Sequence, residues 1–271
     1  MAMHAQSDIQ PKPSGRSPLQ VQCAVVFALY LRELRPRFGQ HRLGYVWVVL
    51  EPLAHIGVLL LVFGLLSSRV MPNISFPVFL ATGVAPWMLF SNTVSRCMVA
   101  VSSNQGLMGF SPVKPMDTVL TRVLVELVMF VGMTFVLAGI AWWFGHPVEV
   151  ADPLMLVLLV VLLAVFSGGL GLVLSIAVHG RADLAKFVPM LMRPLYFVSG
   201  IFFMLGSLPT QARELALLNP LAHWLDLIRV AVFANYPQAS GSLFMVVACT
   251  ALTLLLALML YQVKRFDLVA T

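Results

Sequence analysis

The chain alternates long apolar runs with short polar connections, and this pattern decides its fold class. Six runs each contain about 20 mainly apolar residues, the length that an α-helix needs to cross a bilayer. Strands of a membrane barrel would alternate apolar and polar side chains, and these runs do not. The sequence therefore predicts an all-α polytopic membrane protein with six transmembrane helices, at residues 43–66, 76–101, 119–144, 153–178, 187–205 and 241–262.

Composition indicates that lipid, rather than water, surrounds these runs. Hydrophobic residues make up 60% of the chain and charged residues 10%, whereas a soluble domain carries about 25% charged residues. The net charge of +6 would suit a nucleic-acid-binding protein, but the basic residues form no single patch. They lie between the apolar runs, mostly on one side of the membrane, and the positive-inside rule then places both termini in the cytoplasm.

Residues 19–42 form the first segment that is not a simple span. The segment begins with apolar residues and continues with four arginines, of which Arg32, Arg35 and Arg37 are the candidate gate residues. So much charge prevents it from crossing the hydrocarbon, and we predict an amphipathic helix that lies along the cytoplasmic face. Residues 1–18 are polar and contain several prolines, which predicts a disordered cytoplasmic tail. Residues 263–271 are predicted to form a second cytoplasmic tail.

Residues 207–240, between the fifth and sixth runs, are the second such segment. A loop of this length outside the membrane should be polar, but this one is rich in Leu, Val and Ile. Asn219-Pro220 divides it into two helical stretches that are each too short to span. We predict a re-entrant helical hairpin, whose non-helical tip must be covered by protein or must line a water-filled cavity.

No motif of a catalytic, cofactor or metal site occurs along the chain. The sequence lacks the glycine-rich phosphate loop, the HExxH zinc motif and the GxSxG nucleophile motif. The three cysteines are far apart in sequence, which indicates neither a zinc site nor disulfides. His223 and Asp226 lie three residues apart, and we interpret them as structural hydrogen-bonding side chains rather than a catalytic pair. We therefore predict that this chain has no catalytic site and binds no cofactor or metal.

Charged residues inside the predicted spans are the next candidates, because they are costly in lipid and usually functional. Arg193, in the fifth span, either faces a water-filled conduit or pairs with a carboxylate or carbonyl on a neighbouring helix. Arg96, in the second span, leaves the same two interpretations open. Arg122 and Glu126 lie about one helical turn apart, and we predict a local ion pair between them.

The loop at residues 104–117 presents apolar side chains toward the cytoplasm. It is short and is broken by two prolines. Exposed apolar residues on a short helix favour docking into a groove of a partner protein. The alternative is a turn that rests on the membrane surface. The candidate docking residues are Asn104, Leu107, Met108, Phe110 and Lys114.

Several stretches of the chain, taken in order, resemble a known family. The basic segment leads through Arg42-Leu-Gly-Tyr-Val-Trp47 to Leu50-Glu-Pro52, and the 104–117 loop follows the second span. The later stretches are Arg193-Pro-Leu-Tyr-Phe-Val-Ser-Gly-Ile-Phe-Phe203 and Leu218-Asn-Pro-Leu-Ala-His223. The chain is similar to the transmembrane subunits of ABC-2 type exporters, and it most resembles the capsular polysaccharide export permeases over nearly all of its length beyond the N-terminal tail.

This resemblance implies a function and a set of partners. Two copies would form a conduit, and a dimer of separate cytoplasmic subunits would bind ATP and Mg. Residues 104–117 would couple to those subunits, residues 19–42 would contain a gate helix, and the hairpin would form a periplasmic lid. A lipid-linked, acidic capsular polysaccharide would cross the bacterial inner membrane toward a periplasmic adaptor and outer-membrane export proteins. The candidate conduit contacts are Arg193, Arg96, Tyr196 and Phe203.

Three other functions stay open on the sequence alone. An ion-driven secondary transporter would normally contain inverted repeats and a titratable group at the midplane, and neither is evident. An enzyme that acts on lipid-linked sugars would need a cluster of carboxylates or histidines. Another ABC-2 exporter would carry O-antigen, teichoic acid or a drug, and only the resemblance favours capsular polysaccharide over these cargoes.

Overall fold

The computed structural model describes residues 17–38, 44–63, 74–108, 113–179 and 182–265, which form helices and the turns between them. The all-α prediction is confirmed for this part of the chain. The predicted N-terminal tail lies outside the described residues up to position 16. Residues 39–42 of the basic segment, Phe110 of the loop and the last six residues also lie outside them.

The helices follow one another along the whole described chain. Short 3₁₀ turns precede α4, at Ser102–Asn104, and α8, at Leu205–Ser207. In chain order the helices are α1 (Pro18–Phe38), α2 (Gly44–Phe63), α3 (Phe76–Met98), α4 (Gln105–Met108), α5 (Pro115–Trp143), α6 (Pro153–Val178), α7 (Ala182–Val198), α8 (Thr210–Leu217), α9 (Pro220–Val232) and α10 (Leu243–Lys264).

Proline and a capping side chain together set the start of two helices. The carboxylate of Asp152 accepts a hydrogen bond from the N–H three residues later, at 2.9 Å, at the start of α6. The side chain of Asn219 accepts one from the N–H two residues later, at 3.1 Å, at the start of α9. In both cases proline is the first helical residue, where a missing N–H removes no intrahelical bond.

Four of the six predicted spans are confirmed as helices that are long and apolar enough to cross a membrane, namely α3, α5, α6 and α10. The other two are α7, which has 17 residues and contains Pro189 and Pro194, and α2, which has 20 residues and contains Pro52. The chain is a membrane protein, and its total of six spans stays a prediction.

The core of the bundle lies where α3 packs between α5 and α6, and α10 packs on the far side of α6. A small residue permits the close approach of α6 to α3, because a Cβ added to Gly171 would lie 2.4 Å from the Cβ of Cys97. The outer faces of α5 and α10 expose large apolar side chains such as Phe135 and Leu252. These faces suit contact with lipid chains.

The segment between α7 and α10 forms two helices that meet at a bend of 105°. The division at Asn219-Pro220 is therefore confirmed. α8 is largely exposed, whereas every residue from Leu221 to Arg229 of α9 is buried. At the non-helical tip, Asn219 is buried and donates a hydrogen bond to the Ser199 hydroxyl at 2.9 Å, whereas Leu218 beside it is 77% exposed. The re-entrant course of this hairpin through the bilayer stays a prediction.

Candidate functional site

α1 lies against α5, and a polar seam joins the two helices. Its contacts are Gln22 to Asp117, Glu33 to Arg122 and Arg37 to Glu126. The spacing of the α1 residues, eleven and then four, puts them on one face of that helix. We call these six residues the α1 seam. Because its contacts are spread along α1, the seam fixes the direction of the whole helix.

Glu126 lies at the centre of the charges, with 4% of its side chain exposed. Besides its α1 partner it pairs with Arg96 of α3 at 2.9 Å, so one carboxylate holds two guanidinium groups. Arg122 pairs with Glu33 at 3.0 Å and donates to the backbone carbonyl of Arg96. The predicted local pair of Arg122 and Glu126 is therefore wrong, because α1 and α3 bring each of them a closer partner from another helix.

A further contact ties α1 to the predicted coupling loop. The side-chain amide of Asn104 donates to the carbonyl of Ala100 at 2.8 Å, and its oxygen accepts a hydrogen bond from Arg32 at 3.0 Å. Asn104 is 5% exposed, so its side chain fixes the turn after α3 and is not available at the surface of the loop. A predicted gate residue thereby contacts a predicted coupling residue. Of the other two predicted gate arginines, Arg37 belongs to the α1 seam and Arg35 is exposed.

The remaining coupling candidates lie around this turn. Leu107 and Met108 belong to the short helix α4, and Phe110 lies outside the described residues. Lys114 is exposed immediately before α5. Its backbone N–H donates to the carboxylate of Asp117 at 2.9 Å. Side-chain hydrogen bonds therefore anchor the loop at both of its ends.

The four conduit candidates occupy different environments. Arg193 is exposed on α7 and forms no ion pair within the described part of the chain. Tyr196, one turn later, is buried. Arg96 pairs with Glu126 beside the α1 seam, and Phe203 packs under the hairpin. Arg193 and Tyr196 therefore share one helix, but the first is exposed and the second is buried.

Tyr196 belongs to a row of aromatic rings that crosses the bundle. Its hydroxyl lies 2.6 Å from Nε2 of His55 on α2, and its ring meets that of Trp87 on α3 with centroids 5.2 Å apart. From Trp87 the row runs, ring to ring, through Phe90, Phe166 and Trp224. Because these rings are buried, they join α7 and α9 to the core instead of forming an open surface.

Arg229 of α9 clamps the end of α7. Its guanidinium donates to the carbonyls of Gly200, Ile201 and Phe203 at 2.7, 2.8 and 3.2 Å. The same group lies over the ring of Phe79, 3.7 Å from its centroid. Arg229 is 1% exposed, and burial of its charge is tolerated because three carbonyls and an aromatic face replace water. The three carbonyls follow the end of α7 at Val198, where a helix no longer supplies their hydrogen bonds, so the clamp satisfies both sides.

His223 and Asp226 fix the other side of α9. Nδ1 of His223 accepts from the N–H of Ser242 at 2.9 Å, and Nε2 donates to the carbonyl of Leu217 at 2.9 Å. The carboxylate of Asp226 accepts from two consecutive backbone N–H groups before α10 and from the Tyr236 hydroxyl at 3.1 Å. Burial raises the pKa of Tyr236 to about 12, which keeps the hydroxyl available as a donor. Both side chains are structural, as predicted, but they bond to neighbouring segments and not to each other.

The sequence interpretation did not include Glu33, Glu126 or Arg229 among the candidate site residues. Two signals could have found them. Glu33 is the single acidic residue of α1, which indicates a contact that requires a carboxylate. Arg229 follows His223 and Asp226 at steps of three residues on a mainly apolar helix, and that spacing predicts a polar face.

Comparison with known proteins relates this chain to a family. The sequence model of the family described as ABC-2 type transporter matches residues 24–233. The chain is 42% identical to the polysialic acid transport protein KpsM of Escherichia coli over 251 residues, which are 93% of this chain and 97% of that protein. It is 28% identical to the capsule polysaccharide export inner-membrane protein CtrC of Neisseria meningitidis serogroup B, over 91% of this chain and 93% of that protein. It is 27% identical to the capsule polysaccharide export inner-membrane protein BexB of Haemophilus influenzae, over 94% of this chain and 96% of that protein.

Proposed function

Because this chain belongs to the ABC-2 type transporter family, we propose that it is the membrane-spanning permease subunit of an ATP-driven exporter. Its cargo in this proposal is a lipid-linked, acidic capsular polysaccharide, and its location is the bacterial inner membrane. The observation that carries the proposal is the 42% identity to the polysialic acid transport protein over 97% of that protein's length. The name of that relative specifies an acidic polysaccharide.

ATP binding and hydrolysis belong, in this proposal, to a dimer of separate cytoplasmic subunits that hold ATP and Mg. The chain contains no glycine-rich phosphate loop through which it would bind ATP itself. Its own contribution is mechanical, because closure of the two ATP-binding subunits must become a movement of membrane helices. Helix shifts and rigid-body rotations of this kind are common means of transmission.

The α1 seam supports a route for that transmission. A subunit docked on residues 104–117 would exert its force beside Asn104, which accepts a hydrogen bond from Arg32 of α1. Glu126 pairs with both Arg37 and Arg96, so α1, α3 and α5 are joined by charge close to the loop. We therefore assign α1 as the gate helix, and its ion pairs as the connection between the ATP-binding subunits and the gate.

Two copies of the chain form the conduit in our proposal. α2, α3, α5, α6, α7 and α10 are the six crossings, both termini lie in the cytoplasm, and the α8–α9 hairpin is the periplasmic lid. Arg193 forms no ion pair with a described residue and supports turning α7 toward the conduit, because a guanidinium without a partner is costly against lipid and attracts an acidic polymer. A periplasmic adaptor and outer-membrane export proteins receive the polymer.

Complementation tests the proposal. A capsulated bacterium that lacks its own permease should display capsule again when this chain is expressed with its ATP-binding subunit, as measured by surface staining of the acidic glycan. The double variant Leu107→Ala/Phe110→Ala should remain in the membrane and lose export, because its docking surface is reduced. The matched control, Phe244→Ala/Leu252→Ala, removes the same two side-chain types from the exposed face of α10 and should export normally.

Two outcomes would refute the proposal in different ways. Unchanged export by Leu107→Ala/Phe110→Ala would show that the loop does not couple to the ATP-binding subunit. Transport of the glycan by the purified chain alone in liposomes, driven by an ion gradient, would show that the protein is a secondary transporter.

A further inference from the structure

Two adjoining cavities open where α5 ends and α6 begins. The first, which we call the groove, has a volume of about 550 Å³ and is lined by mostly apolar side chains of α2, α3, α5, α6 and α9. The second, which we call the cleft, has a volume of about 380 Å³ and is lined by residues 145–149, the start of α3 and the residues after α9. Val78, His146 and Val148 line both, so the two cavities are contiguous.

The aromatic residues at the end of α5 mark the depth of these cavities in the membrane. Trp142, Trp143 and Phe144 are 69%, 81% and 72% exposed. Exposed tryptophans at the end of a membrane helix lie at the level of the lipid headgroups. The cleft begins with the next residue, Gly145, and therefore lies at headgroup depth. The groove extends from there along the apolar helices, at the depth of the acyl chains.

The polar groups of the cleft indicate the kind of headgroup it accepts. The hydroxyl oxygen of Ser75 is buried and has no hydrogen-bond partner among the described residues, and a buried polar atom of this kind normally has one. Glu149 is the one carboxylate that lines the cleft, and His146 and Asn235 add further polar atoms. No lysine or arginine of the described chain lines it, so a headgroup with an ammonium group fits better than a purely anionic one.

We propose that the groove and the cleft together bind one phospholipid of the bilayer, with an acyl chain in the groove and an ammonium-bearing headgroup, such as phosphoethanolamine, in the cleft. Both volumes lie within the range of about 300–1,000 Å³ that is usual for small-molecule sites. The acidic cargo is not the occupant, because the described residues of the cleft offer it a carboxylate and no cation. With the chain oriented as in the proposed function, this site lies in the periplasmic leaflet. Only this choice of leaflet rests on the proposed function.

Gly57 provides a direct test, because it lines the groove and a Cβ added there meets no atom within 4 Å. Gly57→Leu adds an isobutyl side chain at this lining position of the groove, and its Cβ meets no steric obstacle. Gly132→Leu is the matched control, since Gly132 also has open space around it but does not line the groove. Native mass spectrometry of the purified full chain, supplied with phosphatidylethanolamine or phosphatidylglycerol, measures bound lipid. We expect phosphatidylethanolamine to remain on the wild type and on Gly132→Leu and to fall at least about tenfold on Gly57→Leu, because several methylenes lose their site.

Glu149→Gln, at an exposed position, tests the headgroup separately and keeps the proposal testable if Gly57→Leu folds poorly. It should remove the preference for phosphatidylethanolamine over phosphatidylglycerol while leaving total bound lipid similar. Equal binding of the two lipids by the wild type, or full retention of lipid by a folded Gly57→Leu, would overturn the proposal. The measurement uses neither ATP nor polysaccharide, so its result is independent of whether the chain exports capsule.

Discussion

Glu126 is the residue whose replacement tests the α1 seam most directly. Glu126→Gln keeps the size of the side chain but removes the charge that Arg37 and Arg96 share. Removing one partner of a buried ion pair costs about 3–5 kcal/mol, because the other charge is left uncompensated. The side chains of Arg37 and Arg96 are 13% and 48% exposed, and water recovers part of that cost, so we expect a loss of about 2–3 kcal/mol.

This loss should appear as easier local opening of α1, because α1 packs mainly on α5. A free-energy change of about 2–3 kcal/mol raises the population of the open state by roughly 30- to 150-fold. Hydrogen exchange followed by mass spectrometry measures this opening on the protein in nanodiscs. The amides of α1 should exchange faster by about that factor, and those of α6 should not change.

Asp183→Asn is the matched control, because Asp183 and Lys186 form an ion pair with side chains 89% and 78% exposed. Its effect should stay within about 0.5 kcal/mol. The double change Glu126→Gln/Arg37→Gln should cost less than the sum of the two single changes, since fewer charges are then left without a partner. Exchange of the α1 amides in Glu126→Gln that stays within about threefold of the wild type would refute the idea that this carboxylate holds α1.

The close packing of α6 on α3 predicts that Gly171→Ala lowers the free energy of unfolding by about 1–3 kcal/mol, because the new Cβ would lie 2.4 Å from that of Cys97. Gly132→Ala is the control, because its Cβ meets open space. Thermal unfolding in detergent compares the two variants, and equal midpoints would contradict the packing. Arg229→Met should leave three buried carbonyls without a donor and cost about 3 kcal/mol or more. An unchanged unfolding midpoint would contradict the clamp. A maleimide probe should label the exposed Cys23 and not the buried Cys97 of the folded protein, and both after denaturation in detergent. Equal labelling of Cys23 and Cys97 before denaturation would show that Cys97 is accessible and would contradict its burial.

The helices could be predicted from the sequence because local composition decides which segments lipid can surround. Runs of apolar residues located α3, α5, α6 and α10, and Asn219-Pro220 located the break between α8 and α9. The partners of the charges could not be predicted in this way. Arg122 and Glu126 have the spacing of a local pair, but each has a partner on α1 that lies 89 residues away in the chain, because α1 folds back onto α5.

Arg229 illustrates a second limit of sequence reasoning. A cation in a mainly apolar helix indicates a need for partners but does not name them. Its partners are backbone carbonyls 26 to 29 residues earlier, just beyond the C-terminal end of α7. A backbone carbonyl has no sequence signature, and which carbonyls lack partners depends on where the helix ends and what packs there. This contact therefore becomes visible only when α7 and α9 are placed in three dimensions.

The outer faces of α5 and α10 differ from that of α7 in charge, and this difference decides which of them suits contact with lipid. The outer faces of α5 and α10 expose apolar side chains such as Phe135 and Phe244, which are 75% and 77% exposed and which lipid chains surround favourably. α7 also exposes apolar residues but adds Arg193, whose charge is balanced by no carboxylate of the described chain. Arg96 differs, because it shares the carboxylate of Glu126 with Arg37. A guanidinium at membrane depth needs water, an anion or a partner subunit beside it. In the dimer that we propose, the face of α7 is therefore the one that the second copy and the conduit cover, and Arg193 is the cation that an acidic polymer meets there.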